Sequence, residues 1–153
     1  MRKATSLLLL LAAGATSYRL VPAVQAHQGP ETILSVTMNL SAMGVESDTY
    51  PFIAATLDFE RHTTRCERWY LDPAYPSSSY HLSAEELNAV RQLLQQADLK
   101  KLKASYSVGR MADLPTSTTT IRTASDTFTI RDYGLRGDAP LPELYRRVYK
   151  FDY

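Results

Sequence analysis

The chain has 153 residues, its 17 Lys and Arg nearly balance its 16 Asp and Glu, and it contains one cysteine. A near-neutral chain lacks the clustered positive charge that neutralises nucleic-acid phosphates, so we expect no nucleic-acid partner. A single cysteine cannot form an internal disulfide, so the fold must be stabilised by burial alone. Cys66 is therefore either packed in the core or paired with a second chain.

The first 26 residues have the pattern of a secretory signal peptide. Arg2 and Lys3 precede the apolar run Leu7–Ala13, and a small side chain stands at Ala26. This pattern predicts cleavage after Ala26 and export to the periplasm or the extracellular space. The apolar run is much shorter than the roughly 20 residues that cross a bilayer, so we expect no transmembrane segment after removal of the signal.

The remaining chain has the length of one ordinary domain. We therefore predict a flexible N-terminus over residues 27–32 and a single domain over residues 33–153. Cleavage after Ala26 would also expose His27, whose α-amine and imidazole could chelate copper with one further histidine. A solvated terminus is the simpler interpretation of that position.

Three strands are predicted ahead of the first helix. Residues 33–40, ILSVTMNL, alternate apolar and polar side chains with the period of a half-buried strand, and residues 52–60, FIAATLDFE, repeat this alternation. Between them, residues 44–51 contain the turn-forming Gly, Asp and Pro of GVESDTYP. With residues 65–71, RCERWYL, as a third strand, the order predicts an antiparallel meander.

Residues 82–99, LSAEELNAVRQLLQQADL, have the pattern of an amphipathic helix. Ser83 stands at the N-cap with Glu86 three residues later, and Leu82 and Leu87 are placed to form a hydrophobic staple. Apolar residues then recur at helical spacing at Leu87, Val90, Leu94 and Ala97. We expect this stripe to cover one face of the sheet.

The C-terminal third is predicted to contain two more strands and a short helix. Residues 116–133 form two Thr-rich runs hinged at residues 124–126, with core side chains at Ile121, Phe128 and Ile130. Residues 141–151 then repeat apolar side chains on one helical face, at Leu141, Leu144, Val148 and Phe151.

The order strand, strand, strand, helix, strand, strand, helix predicts an α+β fold. We expect an antiparallel sheet of about five strands with the helices packed on one face. The other face should be polar and Thr-rich, because antiparallel sheets tolerate solvent on one side.

Several short stretches between about Tyr80 and Phe151 are similar to a family of bacterial secreted domains of unknown function. The similarity is carried by LSAEEL, DLPTSTTTIRT, TIRDYG and the Pro-containing start of the last helix. None of these is a catalytic signature. The resemblance implies the fold and export, and it implies no activity.

The segment from His62 to His81 gathers residues that can carry chemistry. It contains the only cysteine, the only tryptophan and two of the three histidines. His62, Cys66 and His81 together suggest a metal-binding or thiol-dependent enzyme as one hypothesis. Their spacing lacks the close pairs of structural zinc sites, and a cysteine within a strand is more typical of packing, so we expect no cofactor.

Acidic residues give no clear catalytic pair. Asp58 and Glu60 share a strand face, as many solvent-facing acids do, and glycosidase chemistry would need two carboxylates facing each other across a cleft. Asp113 precedes a Leu-Pro turn, and Asp132 is predicted to help end a strand.

Aromatic residues give the remaining signal. Trp69, Tyr75 and Tyr80, with Arg65, match the composition of interface hot spots. Strand periodicity places Arg65, Glu67 and Trp69 on one face and Cys66, Arg68 and Tyr70 on the other. The sequence therefore favours a non-catalytic binding module with a protein or envelope partner. The alternatives are the enzyme described above and a covalent dimer through Cys66.

Overall fold

The computed structural model describes residues 31–150. The predicted signal peptide, His27, most of the predicted flexible N-terminus and Phe151 lie outside these residues. The elements in chain order are β1 Ile33–Ser41, β2 Phe52–Asp58, β3 Thr63–Trp69, β4 Ser78–Tyr80, α1 Ala84–Gln96, a 3-10 turn Leu99–Lys101, β5 Ser105–Tyr106, β6 Thr116–Thr123, β7 Thr127–Tyr133 and α2 Leu141–Tyr149.

The described strands form one seven-stranded sheet in the order β4-β3-β2-β1-β6-β7-β5. The α+β class is confirmed, but the expected number of about five strands is wrong. The two additional strands are β4, with three residues, and β5, with two, and both lie at the edges of the sheet. Strands this short have too few residues to show an alternation of apolar and polar side chains, so the sequence pattern did not predict them. The sheet is also mixed, because β5 pairs with β7 in parallel.

The central strand β1 shows why one face of the sheet is covered and the other is open. Val36 lies opposite Leu57 on β2 and Ile121 on β6, and all three side chains are fully buried. The next residue, Thr37, lies between Thr56 and Thr120. The predicted Thr-rich face is therefore confirmed, and we call it the open face.

Both helices pack on the covered face, where one continuous core joins them to the sheet. Helix α1 begins with the predicted capping box, since the Ser83 side chain accepts the Glu86 N–H and the Glu86 carboxylate accepts the Ser83 N–H. The buried side chains of the two helices are Leu87, Val90, Leu94, Leu141, Leu144, Tyr145, Val148 and Tyr149. Burial of this apolar area is the main source of stability.

Candidate functional site

A groove of about 370 Å³ lies at the β3–β4 edge of the sheet, lined by Glu67, Arg68, Trp69 and Ser77–Ser79. Glu67 pairs with Ser79 across the two strands, so their side chains share the open face with Trp69. Beyond Arg68 and Ser78 the pairing stops, and the chain continues into the loop of residues 70–77. The groove occupies the space where the two strands separate. We call it the Trp69 groove.

Trp69 supplies the apolar wall of this groove. Its side chain lies opposite Phe52 on β2, and the two rings stack with centroids 5.7 Å apart and planes 15° apart. Trp69 nevertheless keeps 38% of its surface exposed. Because Phe52 covers the indole on the β2 side, its other face is turned toward the groove on the β4 side.

Glu67 supplies the acidic group, and Arg65 balances its charge. The Arg65 Nε and a terminal guanidinium nitrogen donate to Glu67 Oε1 at 3.0 and 2.6 Å. Both bonds end on the same oxygen, so Glu67 Oε2 accepts no hydrogen bond from the described side chains or backbone. Glu67, which lines the groove, therefore keeps one oxygen with free acceptor capacity while Arg65 offsets its charge.

Tyr75 lies in the loop that leads to Ser77 and is 41% exposed. The loop is ordered by Asp72, whose carboxylate accepts the Ala74 N–H at 2.8 Å and whose carbonyl accepts the Tyr75 N–H at 3.1 Å. The Tyr75 ring lies 5.5 Å from the Tyr70 ring. Tyr75 is therefore held in a defined turn of the loop, and it is not among the residues that line the groove.

Tyr80 lies on the opposite side of the sheet from Trp69. It pairs with the buried Cys66, and its hydroxyl donates to the Val148 carbonyl at 2.7 Å. Arg68 donates in the same way to the Tyr149 carbonyl at 2.7 Å. These carbonyls belong to the last turn of α2, where carbonyl groups need partners from outside the regular intrahelical pattern. Of the four predicted binding residues, the structure therefore brings Arg65 and Trp69 to the open side and Tyr80 to the helix side. Tyr75 lies in the loop between β3 and β4, against Tyr70.

The three residues of the hypothetical thiol or metal site lie in different environments, one in the core and two at the surface. Cys66 is fully buried, and burial raises the pKa of its thiol to about 11, so little reactive thiolate exists at neutral pH. His62 and His81 are exposed, and His81 Nδ1 hydrogen-bonds with the Thr64 carbonyl. Within residues 31–150 no three His, Cys, Asp or Glu side chains are arranged to hold a metal ion. The buried sulfur is also unable to reach a second chain while the sheet is intact.

A buried polar network lies between α2 and the sheet. The Asp132 carboxylate accepts the Arg136 N–H at 3.0 Å, the Gly137 N–H at 2.7 Å and the Tyr145 hydroxyl at 3.0 Å. Tyr145 stacks on Tyr149 at 5.7 Å. Burial, followed by the adjacent Asp132 charge, holds the pKa of Tyr145 far above its usual range, so the hydroxyl remains a donor. We call this set the Asp132 network.

The Asp132 network extends to the sheet through Tyr149, whose hydroxyl lies 2.7 Å from Ser117 Oγ. The sequence alone predicts for Asp132 only a role at a strand end. Strand periodicity is the signal that could have revealed this network. Ser117 shares a strand face with the core residue Ile121, and Asp132 shares one with Ile130. A polar residue at a core position implies a buried hydrogen-bond partner.

The fold and the two polar sites define a small α+β domain with a one-sided sheet, a sealed interior network and an open edge groove. Residues 76–152 match the family model Domain of unknown function (DUF6438), and the chain belongs to that family. No curated protein and no solved structure matches the chain. Among the described residues, no helix has the length and apolar character needed to span a bilayer.

The residues matched by the family model include only part of the lining of the Trp69 groove. Ser77–Ser79 lie within residues 76–152, whereas Glu67 and Trp69 precede them on β3. The Asp132 network is contributed entirely by residues within the match. The groove is thus built from both the family region and the strands that precede it.

Proposed function

We propose that the protein is an exported, non-catalytic binding module whose contact surface is the Trp69 groove. The observation that carries this proposal is the indole itself. One face of Trp69 is held by Phe52 and the other borders a polar-walled groove on a face that is otherwise rich in threonine. A rigid aromatic anchor that loses little conformational freedom on contact is typical of binding hot spots.

The chemistry of the reactive residues supports binding over catalysis. Cys66 is protonated in the core, and the Asp132 carboxylate is enclosed by three donors. A nucleophile or general base needs access to substrate and a proton acceptor beside it. Neither group meets this requirement, whereas the Trp69 groove is open to solvent.

The location proposed for this function follows from the signal pattern of residues 1–26, and the partner would be a protein or envelope component met after export. Fractionation of cells that produce the protein tests this step. A shortened chain that begins at His27 should appear outside the cytoplasm. Retention of the full-length chain in the cytoplasm would contradict export.

Site-directed photo-crosslinking in these cells tests the contact surface. A photo-reactive amino acid in place of Ser77 should form crosslinks to an envelope component, and Trp69→Ala should remove them because the anchor is lost. The matched control replaces Thr129, an exposed residue of β7 on the same open face. Equal crosslinking from position 129, or crosslinks from position 77 that survive Trp69→Ala, would refute the proposed surface.

A further inference from the structure

We propose that the ligand of the Trp69 groove is an uncharged carbohydrate chain. This inference rests on the proposed function and specifies the chemical class of its partner. It is carried by the aromatic wall, the surrounding hydroxyl and carboxylate groups, and the charge balance of the groove.

The shape and chemistry of the groove complement those of a sugar ring. A pyranose has apolar C–H faces and a rim of hydroxyl groups, each of which both donates and accepts hydrogen bonds. The exposed face of Trp69 supplies a flat apolar surface, and Ser79, which pairs with Glu67, supplies a hydroxyl on the same face. The volume of about 370 Å³ is within the range of roughly 300–1,000 Å³ typical of small-ligand sites.

The charge balance favours an uncharged ligand. Arg65 neutralises Glu67, yet leaves Oε2 as an acceptor for ligand hydroxyls. Arg68 also lines the groove, but its guanidinium donates to the Tyr149 carbonyl and lies 5.4 Å from the Tyr80 ring centroid on the helix side. A cationic peptide would need an uncompensated carboxylate, and an anionic ligand would need a cation directed into the groove.

A flat protein interface is less well matched by this surface. Stable protein interfaces bury about 800 Å² per partner around an apolar centre. Beside Trp69 and Phe52, the open face continues without a large apolar side chain in the row next to them. In register with Glu67 the row runs across the sheet through Ala54, Asn39, Thr118 and Arg131.

This row gives the groove a polar extension. Neighbouring strands are about 4.8 Å apart, so beyond Ala54 the row offers one hydrogen-bonding side chain per strand, at Asn39, Thr118 and Arg131. Ala54 has a small side chain between Glu67 and Asn39, which leaves room for a chain to cross. We therefore expect affinity to rise with the length of the glycan.

The fluorescence of Trp69 provides a direct test, because it is the only tryptophan in the chain. The probes are the neutral hexasaccharides of β-1,4-glucose, β-1,4-N-acetylglucosamine, α-1,4-glucose, β-1,4-mannose and β-1,4-xylose. Polygalacturonate and a lysine-rich peptide serve as charged comparisons. At least one neutral hexasaccharide should change the emission saturably and bind more tightly than its trisaccharide.

Calorimetry with the responding glycan then compares variants. Trp69→Ala should weaken binding about tenfold or more, which is the effect of losing a hot-spot anchor of about 1.4 kcal/mol. Trp69→Phe should retain part of the affinity, and Glu67→Ala should weaken binding several-fold. Met111→Ala, which shortens an exposed apolar side chain outside the groove lining, should have no effect.

Thermal unfolding of each variant separates loss of binding from loss of the fold. Failure of all five neutral glycans to bind, or binding of a charged probe alone, overturns the carbohydrate proposal. If position 77 still gives Trp69-dependent crosslinks in that case, the proposed function stands and only the ligand class is wrong. If both experiments fail, the groove is not the contact surface.

Discussion

The Asp132 network and the Trp69 groove contain similar residue types in opposite situations. Each has a carboxylate near a stacked aromatic pair and at least one serine hydroxyl. In the interior, three donors occupy the Asp132 carboxylate, whereas at the edge Arg65 occupies one oxygen of Glu67. The comparison teaches that the face of the sheet, and not the residue type, decides whether such a group stabilises the fold or is available to a ligand.

The largest expected effect is that of Asp132→Ala. The substitution leaves two backbone N–H groups and the Tyr145 hydroxyl without their acceptor, and each buried unpaired group costs about 1–3 kcal/mol. We expect a loss of roughly 3 kcal/mol or more in the free energy of unfolding, measured by urea denaturation. Asp132→Asn should cost less because one carbonyl oxygen remains. A loss under about 1 kcal/mol for Asp132→Ala would show that the network is dispensable.

Gly137→Ala should have the next largest effect. An added Cβ would lie 2.5 Å from Leu141 Cδ1 and 2.7 Å from Asp132 Oδ2, so the network and the start of α2 would have to move. Overpacking of this kind costs about 1–3 kcal/mol in unfolding free energy. Gly109→Ala is the matched control, since its Cβ would meet nothing within 4 Å. Equal stability of the two variants in urea would contradict the close packing described above.

Tyr→Phe substitutions at Tyr80 and Tyr75 should lower the free energy of unfolding by different amounts. Tyr80→Phe removes the donor to the Val148 carbonyl and should lower the unfolding free energy by about 1 kcal/mol. Tyr75→Phe should change it by less than about 0.5 kcal/mol, because this residue lies in an exposed turn. Thermal denaturation of both variants measures this difference in stability. If Tyr75→Phe is the more damaging change, the hydrogen bond from Tyr80 to Val148 does not stabilise the fold.

The smallest expected effect is a pH dependence at Glu86. Its carboxylate pairs with Lys150 Nζ at 2.7 Å and accepts the Ser83 N–H at 2.7 Å, and these contacts, with Lys150 first, lower its pKa. A pKa lowered by folding stabilises the protein above the unfolded value of about 4.3, and this contribution is lost as the pH falls through the folded value.

Melting temperatures measured from pH 6 downward should therefore fall less steeply for Glu86→Gln than for the unmodified protein. Glu85→Gln removes the same charge from the same turn but leaves both contacts of Glu86 in place, so its profile should follow that of the unmodified protein. Parallel profiles for all three proteins would show that the link between α1 and Lys150 does not contribute.

Local patterns predicted much of this fold because their causes lie within a few residues. The alternation around Val36 and the pairing of Ser83 with Glu86 depend on neighbours in sequence, and both were confirmed. The partners of Asp132 could not be predicted in this way, since Tyr145 is on another element and approaches only when α2 packs.

The arrangement of the candidate site was predicted only where it depends on residues close together in sequence. Strand periodicity placed Arg65 and Trp69 together and Cys66 away from them. Tyr80 follows a Pro/Ser-rich loop, and only the three-residue strand β4 fixes its face. The stacking of Phe52 on Trp69 depends on the β2–β3 register, which the sequence pattern does not specify.

The β3–β4 hairpin carries the groove on one face and the end of α2 on the other. Trp69 is adjacent in sequence to Arg68, which holds the Tyr149 carbonyl, and Ser79 is adjacent to Tyr80, which holds the Val148 carbonyl. A ligand that stiffens this hairpin should therefore slow amide hydrogen exchange in the last turn of α2, on the far side of the sheet. Exchange at the closing helix would then report occupancy of a groove that lies on the other face of the sheet and is linked to the helix through Arg68.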